Sequence, residues 1–316
     1  MKIDLKSLYK SSDTEEWWDT VFTRPIGMLF TKLFYRLHWT PNQVTVLSII
    51  LGVCGAWFFH YRADNLQGLL LNVCGVVLFM TANFLDSADG QLARLTGLKT
   101  KYGRILDGVA SNIIFVTLYF SLVFRLYSQN IPFTNTPWHY WIFIYLLFNG
   151  IVCHGRQCSL SDYYRNVHLY FINAKNGNEF DHYADQLAKY KSIPFSNVLE
   201  KFFMWLYKNH MKSQEEQTPQ FQKFYALLRQ RYGDYIPQDI RDEFRRHSLP
   251  LMKFTNILTH NTRASVLYIT SLFDVPWLYP MFETIVLSIL YWYMRLSHEH
   301  FCKKMSKALS VSPSRS

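Results

Sequence analysis

Asp86–Ser111 reads DSADGQLARLTGLKTKYGRILDGVAS, three aspartates and two basic clusters set between two long apolar runs. Charged groups at the edge of hydrocarbon are expensive, so carboxylates placed there mark a functional site by default. On one side, Asn42–Tyr61 and Asn65–Leu85 contain no Asp, Glu, Lys or Arg, and each meets the roughly 20-residue requirement for a spanning helix. On the other, apolar runs follow at Gly108–Phe124 and Trp138–Cys153. Two shorter runs, Ile257–Phe273 and Met281–Met294, are interrupted by Arg263, Asp274 and Glu283. The expected fold is therefore an all-α integral membrane protein of about six transmembrane helices. The mean hydropathy of -0.05 conceals this, because it averages these runs with the long polar stretch Arg156–Lys253.

The net charge of +10 is distributed as a membrane topology demands and gives no reason to expect nucleic acid. Arg24, Lys32 and Arg36 precede the first run, Arg94, Lys99, Lys101 and Arg104 follow the second, and Arg295, Lys303, Lys304 and Lys307 close the chain. The opposite connections carry only Arg62 and Arg125 at helix ends. Lys and Arg mark the cytoplasmic side, so the charged stretch, both termini and the insert after the fourth run are expected there. The expected organisation is an N-terminal region over 1–39, spans one to four over 40–155, a mainly helical cytoplasmic insert over 156–255, spans five and six over 256–300 and a basic tail over 301–316. No early apolar core suggests a cleavable signal, and five cysteines without a CxxC pair suggest neither a disulfide framework nor a zinc site.

Glu15–Trp39 spaces Trp17, Trp18, Phe22, Leu29, Leu33 and Leu37 among basic residues, the composition of an amphipathic helix lying in the membrane interface. Packing of that helix on the insert is the other reading of the same pattern. At Thr40-Pro41, Pro suits the first helical position and Thr can cap it. Asn42 and Thr45, one turn apart, are then expected to face the aspartates. If the second span continues past Leu85, Asp86 and Asp89 share a face that Ala93 extends, and Gly90 leaves room beside them. Gly103 starts the next helix in this reading, with Asp107 one turn in and Ser111 a turn deeper. Three converging carboxylates repel unless a cation holds them, and hard oxygen donors suit Mg2+ or Mn2+. The bland alternative, in which the aspartates are helix caps or partners of Arg94 and Arg104, accounts for one or two of them. Arg156 and Arg263 are expected either to snorkel or to share a substrate phosphate. In the insert, helical patterns cover Asn197–Met211 and Pro219–Tyr232; no nucleotide loop or repeat is present, and its histidines read as solvated or packed.

The pattern Asp86-x2-Asp89-Gly90-x2-Ala93-Arg94-x8-Gly103-x3-Asp107 resembles the signature of the CDP-alcohol phosphotransferase (CDP-alcohol phosphatidyltransferase) family, seven residues at fixed spacing. The resemblance covers about 15–155 well and the last two runs loosely, leaves the insert aside, and implies six spans with an N-terminal interfacial helix. It implies a divalent metal held by Asp86, Asp89 and Asp107, a nucleotide site lined by Gly90, Ala93 and Arg94, and Pro41-Asn42 with Thr45 at the first-span entrance. The implied reaction is attack of an alcohol on a CDP-linked donor with release of CMP. The family's fourth aspartate is Ser111 here, which cannot act as a carboxylate base. The proton then falls to another aspartate of the cluster, to His154 or to the substrate's own phosphate. Two enzyme readings follow: a phosphatidyl group passes from CDP-diacylglycerol to a polar alcohol such as inositol phosphate, or a CDP-linked head group passes to diacylglycerol or a ceramide. A binding or scaffold role for a degenerate member is a third, and a cation transporter would need its aspartates nearer the bilayer centre. The partners expected are the CDP-linked donor, the alcohol acceptor and membrane lipid, with a homodimer left open.

Overall fold

Helices α2, Pro41–Phe58, and α3, Leu66–Thr96, form the hairpin on which the first half of the chain is built. α2 begins as its sequence predicts: Pro41 occupies the first turn, Thr40 Oγ1 accepts from the Gln43 amide at 3.4 Å, and Gln43 Oε1 accepts from the Thr40 amide at 2.8 Å. The two helices touch backbone to backbone. A methyl group added to Gly55 would lie 2.7 Å from the Phe79 amide nitrogen, and one added to Gly75 would lie 3.0 Å from the Gly55 carbonyl oxygen. Small residues permit such approach where apolar surroundings offer no other drive to associate helices. Nearer the start of α2, Ser48 Oγ donates to the Ala82 carbonyl at 2.9 Å.

The computed structural model describes residues 13–14, 16–98, 101–172, 181–233 and 235–311, excluding the side chains at 101, 102, 104, 105, 107, 108, 199 and 311. Within these the chain is helical, with no β-strand beyond one isolated bridge between Asn130 and Pro137. The remaining helices are α1 (Arg24–Arg36), α4 (Lys101–Leu126), α5 (His139–Phe148), α6 (Gly155–Ile172), α7 (Tyr183–Ser192), α8 (Val198–Gln217), α9 (Pro219–Tyr232), α10 (Gln238–Ile257), α11 (His260–Leu272), α12 (Leu278–Phe282) and α13 (Ser288–Val311). Among the described residues, three segments are long and apolar enough to cross a membrane: Pro41–Phe58, Leu66–Thr96 and Val109–Leu126. The expected fourth and sixth runs are helical too, but each contains a π-helical turn, Asn149–His154 between α5 and α6 and Glu283–Leu287 between α12 and α13. The fifth coincides with α11.

The described residues group into two units. One takes Glu15–His154 and His260–Thr284, and the other Ser11–Thr14, Gly155–Thr259 and Ile285–Ser316. In the first, Phe59, Phe79, Phe115, Leu118, Leu122, Leu146, Leu267 and Tyr279 are buried together. One end of this unit is clasped by Arg125. Its fully buried guanidinium donates to the Phe59 carbonyl at 3.1 Å, Asn72 Oδ1 at 2.9 Å, the Ser271 carbonyl at 2.9 Å and Asp274 Oδ1 at 2.7 Å. A residue expected merely to end a helix thus joins α4 to α2, α3 and the end of α11.

The second unit is aromatic at its centre. Phe171 stacks on Phe244 at 3.8 Å, and Tyr164 on His298 at 4.1 Å. The helices expected at 197–211 and 219–232 are α8 and α9, and α13 packs with α9, α10 and α6. Glu299 of α13 caps α9, accepting from the Gln220 and Phe221 amides at 2.6 and 3.2 Å. Burial holds His168 and His247 below the ordinary imidazole value.

Two expectations follow. Arg125→Met leaves Asp274 without its buried partner and destabilises the first unit by about 3–5 kcal/mol, measured as a lowered unfolding midpoint in detergent; an unchanged midpoint would remove Arg125 from the account. In the second unit, the unfolded chain binds protons that these histidines refuse when folded. Its stability is fully present above about pH 6.5 and declines as pH falls below that value. Protection of α6, α10 and α13 amides against hydrogen exchange, corrected for intrinsic rates, should be lower near pH 5 than at neutrality.

Candidate functional site

α3 does continue past Leu85, and its last three turns carry the charged motif to Thr96. The helix ends on Gly97 in the left-handed conformation at φ +72°, a stop that glycine adopts without strain. This segment presents three strips. Ser87, Ala88 and Gln91 face α1: Thr31 Oγ1 donates to the Ala88 carbonyl at 3.2 Å, and Gln91 Nε2 donates to the Arg24 carbonyl at 3.1 Å. A methyl group on Gly27 would lie 3.0 Å from Ser87 Oγ, so α1 seats close to α3. Leu85 and Leu92 are buried with Val44 and Phe34. Asp86, Gly90 and Ala93 form the third strip, at i, i+4 and i+7.

Asp89 is buried, and Thr45 Oγ1 donates to its Oδ2 at 2.5 Å, a shorter approach than the 3.1 Å from the same hydroxyl to the Pro41 carbonyl. Asp86 is half-buried one turn earlier. Beside them, among the described residues, a methyl group on Gly90 would meet the Arg94 guanidinium alone, at 3.6 and 3.8 Å. Gly90 thus keeps a bare patch of helix between two carboxylates and a guanidinium. Asn42 is exposed on the first turn of α2, and Ala93 and Gly103 are half-buried. Gly103 lies within the first turn of α4, which already begins at Lys101. Ser111 is exposed on α4, and the backbone of Asp107 is part of that helix while its side chain lies outside the described residues.

The donor set fits a divalent cation with an adjoining phosphate: hard carboxylate oxygens at Asp86 and Asp89, and a guanidinium over an unsubstituted glycine. Among the described residues no three His, Cys, Asp or Glu side chains converge as a metal cluster. The third expected ligand, Asp107, is outside that set.

Two expected residues are occupied elsewhere. Arg263, expected either to snorkel or to share a substrate phosphate, is fully buried on α11 and ion-paired with Glu283 Oε1. Glu283 is a hub absent from the sequence-based site. Its Oε2 accepts from Tyr119 at 2.7 Å and Asn149 at 2.8 Å, and its Oε1 accepts from Tyr279 at 2.8 Å. His154 Nδ1 lies 3.2 Å from Glu283 Oε1 and 3.2 Å from Arg263 Nη1, so its ring belongs to this network. The signal was available: Arg263 and Glu283 are two of the three charges interrupting the last apolar runs. Arg156 is exposed at the start of α6. Also absent from the expected site, Asn261 at the start of α11 receives Asn83 at 3.3 Å and donates to Glu16 and Asp19, both at 2.8 Å.

Residues 38–166, which contain every position of the aspartate motif, match the family model for CDP-alcohol phosphatidyltransferase. Over this segment the chain is similar to that family. Among curated proteins, the archaetidylinositol phosphate synthase of Pyrococcus horikoshii is 30% identical over 91 residues, 29% of this chain and 44% of that protein. The bifunctional IPC transferase and DIPP synthase of Aquifex aeolicus is 36% identical over 75 residues, 24% of this chain and 15% of the relative. An uncharacterized Aquifex aeolicus protein is 28% identical over 109 residues, covering 34% of this chain and 44% of its own length. The chain thus spans less than half the length of each of these relatives. CDP-alcohol phosphatidyltransferases generally use a divalent metal, which agrees with the oxygen donors at Asp86 and Asp89.

Thr45 can be tested apart from turnover. Thr45→Val removes the donor to Asp89 and should weaken Mn2+ binding by roughly 10–100-fold, the usual loss when a group orienting a metal ligand is removed. Thr45→Ser should preserve it. Electron paramagnetic resonance titration of free Mn2+ reads both; equal affinities for the Val variant and the parent would end this role for Thr45.

Proposed function

We propose that the chain is an integral membrane phosphotransferase of phospholipid synthesis, passing a phosphatidyl group from CDP-diacylglycerol to a polar alcohol such as inositol phosphate and releasing CMP. The observation that carries the reading is the strip Asp86–Gly90 with Arg94, ionisable oxygens beside a bare glycine and a guanidinium, set within the family segment. The names of the Pyrococcus and Aquifex synthases support a phospholipid product, and the first supports inositol phosphate as the acceptor class. In this reading the chain crosses the bilayer six times, the π-containing helices and α11 adding to α2, α3 and α4. The distribution of Lys and Arg supports cytoplasmic termini, insert and aspartate motif.

Asp86, Asp89 and Asp107 would hold Mg2+ or Mn2+, which when bound offsets the pyrophosphate charge and makes CMP a better leaving group. Arg94, lying over Gly90, presents its guanidinium to the donor phosphates, and Gly90 lets them approach the helix. Thr45 orients Asp89. The acceptor hydroxyl oxygen forms the new bond to phosphorus as the bond to CMP breaks, and its proton passes to a carboxylate of the cluster. Ser111 cannot take that proton at neutral pH. The engagement of His154 with Glu283 and Arg263 leaves the aspartates as the nearer choice.

Purified chain in lipid, supplied with labelled CDP-diacylglycerol and inositol phosphate, should release CMP and form labelled product without any added CDP-linked head group. Product formed only from a CDP-linked head group and diacylglycerol would reverse the donor. Asp107→Asn should lower the rate at least about 100-fold, whereas Ser111→Asp should preserve or raise it. Equal rates for Asp107→Asn and the parent would sink the enzymatic reading.

A further inference from the structure

The second unit presents an apolar strip that its own core does not use. The connection from α7 to α8 is a tight turn in which the Asn197 amide donates to the Pro194 carbonyl at 3.1 Å. Phe195 on this turn is 84% exposed, and on α8 Val198, Phe202 and Trp205 are 72%, 51% and 45% exposed. These three are spaced i, i+4 and i+7 and so lie on one face, while Met204, Met211 and Gln214 occupy the buried face. Continuing along the outward face, Val198, Phe202 and Trp205 give way to Asn209, Lys212 and Glu216, the last two an exposed ion pair at 3.6 Å. The outward surface is therefore apolar at the turn and polar two turns further on.

Lysines surround the apolar end. Lys189 and Lys191 are exposed on the last turn of α7. Lys201 Nζ lies 3.6 Å from the centre of the Phe195 ring and donates to the Ile193 carbonyl at 3.0 Å, which ties the turn to α8. Exposed aromatics ringed by lysine do not have the composition of a protein–protein interface, where lysine is depleted. They have that of a surface entering the boundary between headgroups and acyl chains, where Trp and Phe insert and lysines stay with phosphate. A bilayer is also always within reach, because the same chain carries α2, α3 and α4.

We propose that the α7–α8 turn, with Phe195, Val198, Phe202 and Trp205, is a membrane-surface anchor that inserts into a leaflet rich in anionic phospholipid, with Lys189, Lys191 and Lys201 against its headgroups. Trp205 marks the depth of insertion and Lys212 lies in water. The anchor rests on the membrane-spanning character of α2–α4 and not on the transferase chemistry, so loss of one reading leaves the other standing.

The full chain is placed in nanodiscs of phosphatidylglycerol and phosphatidylcholine, with Phe202 replaced by the photoreactive p-benzoylphenylalanine and, in a second variant, Lys212 replaced by it. Illumination followed by mass spectrometry should yield lipid adducts at position 202 and none at 212. Adducts at 202 to a second copy or to another segment of this chain, or no lipid adduct there, would overturn the anchor. Lys189→Glu with Lys191→Glu should lower the lipid-adduct yield at 202 at least about fivefold, since each lysine near an anionic surface contributes roughly that factor. An unchanged yield, or equal yields in discs lacking phosphatidylglycerol, would overturn the role of the lysines.

Discussion

The close approach of α2 to α3 is the constraint from which the rest of the first unit follows. Because Gly55 and Gly75 put the two backbones in contact, the hairpin has one register, and along it Ser48 reaches the Ala82 carbonyl and Thr45 reaches Asp89. A side chain at either glycine would separate the helices. The hydroxyl at Thr45 would then have no carboxylate to meet, and Asp89 would be a buried charge lacking that donor. Helix packing far down the hairpin thus sets the electrostatics at its polar end, and α1 completes the arrangement from behind through Gly27, Thr31 and Gln91.

Much of this was legible in the residues. The uncharged runs locate α2, α3 and the apolar length of α4, Thr40-Pro41 locates the start of α2, and the spacing of Asp86, Gly90 and Ala93 places them on one strip. Thr45 meets Asp89, as the expectation that the first turns of α2 face the aspartates requires of it, and Asn42 is exposed on the turn before it. Less legible was anything depending on which distant side chains meet. Arg263 at a helix start looks like a snorkelling or phosphate-binding residue until Glu283 is seen beside it, and His154 looks available until its ring is found in the same network. Arg125 likewise has the sequence position of a surface cation and the surroundings of a buried one. Local pattern reports the face of a helix, and tertiary pairing decides what that face touches. The π-helical turns were illegible for a related reason, since one added residue in a helix leaves no compositional mark.

Two of the polar networks of the first unit divide the work differently. Around Asp86 and Asp89, polar groups stand beside a glycine that leaves space. Around Glu283 the space is filled: Arg263, Tyr119, Tyr279, Asn149 and His154 all approach one carboxylate, which is fully buried. Satisfied buried networks rigidify, and partly open ones can receive a ligand. The second unit separates its surfaces in the same way, an aromatic core around Phe244 and His298 on one side and the bare turn at Phe195 on another.

Glu283 also bears on how such a chain can change. Arg263 and Glu283 are 20 residues apart, on consecutive helical segments joined by a short turn. Removing either alone would leave the other as an uncompensated buried charge. Two positions on separate helices are therefore tied together, and a neutral substitution at one is tolerable only with a matching change at the other.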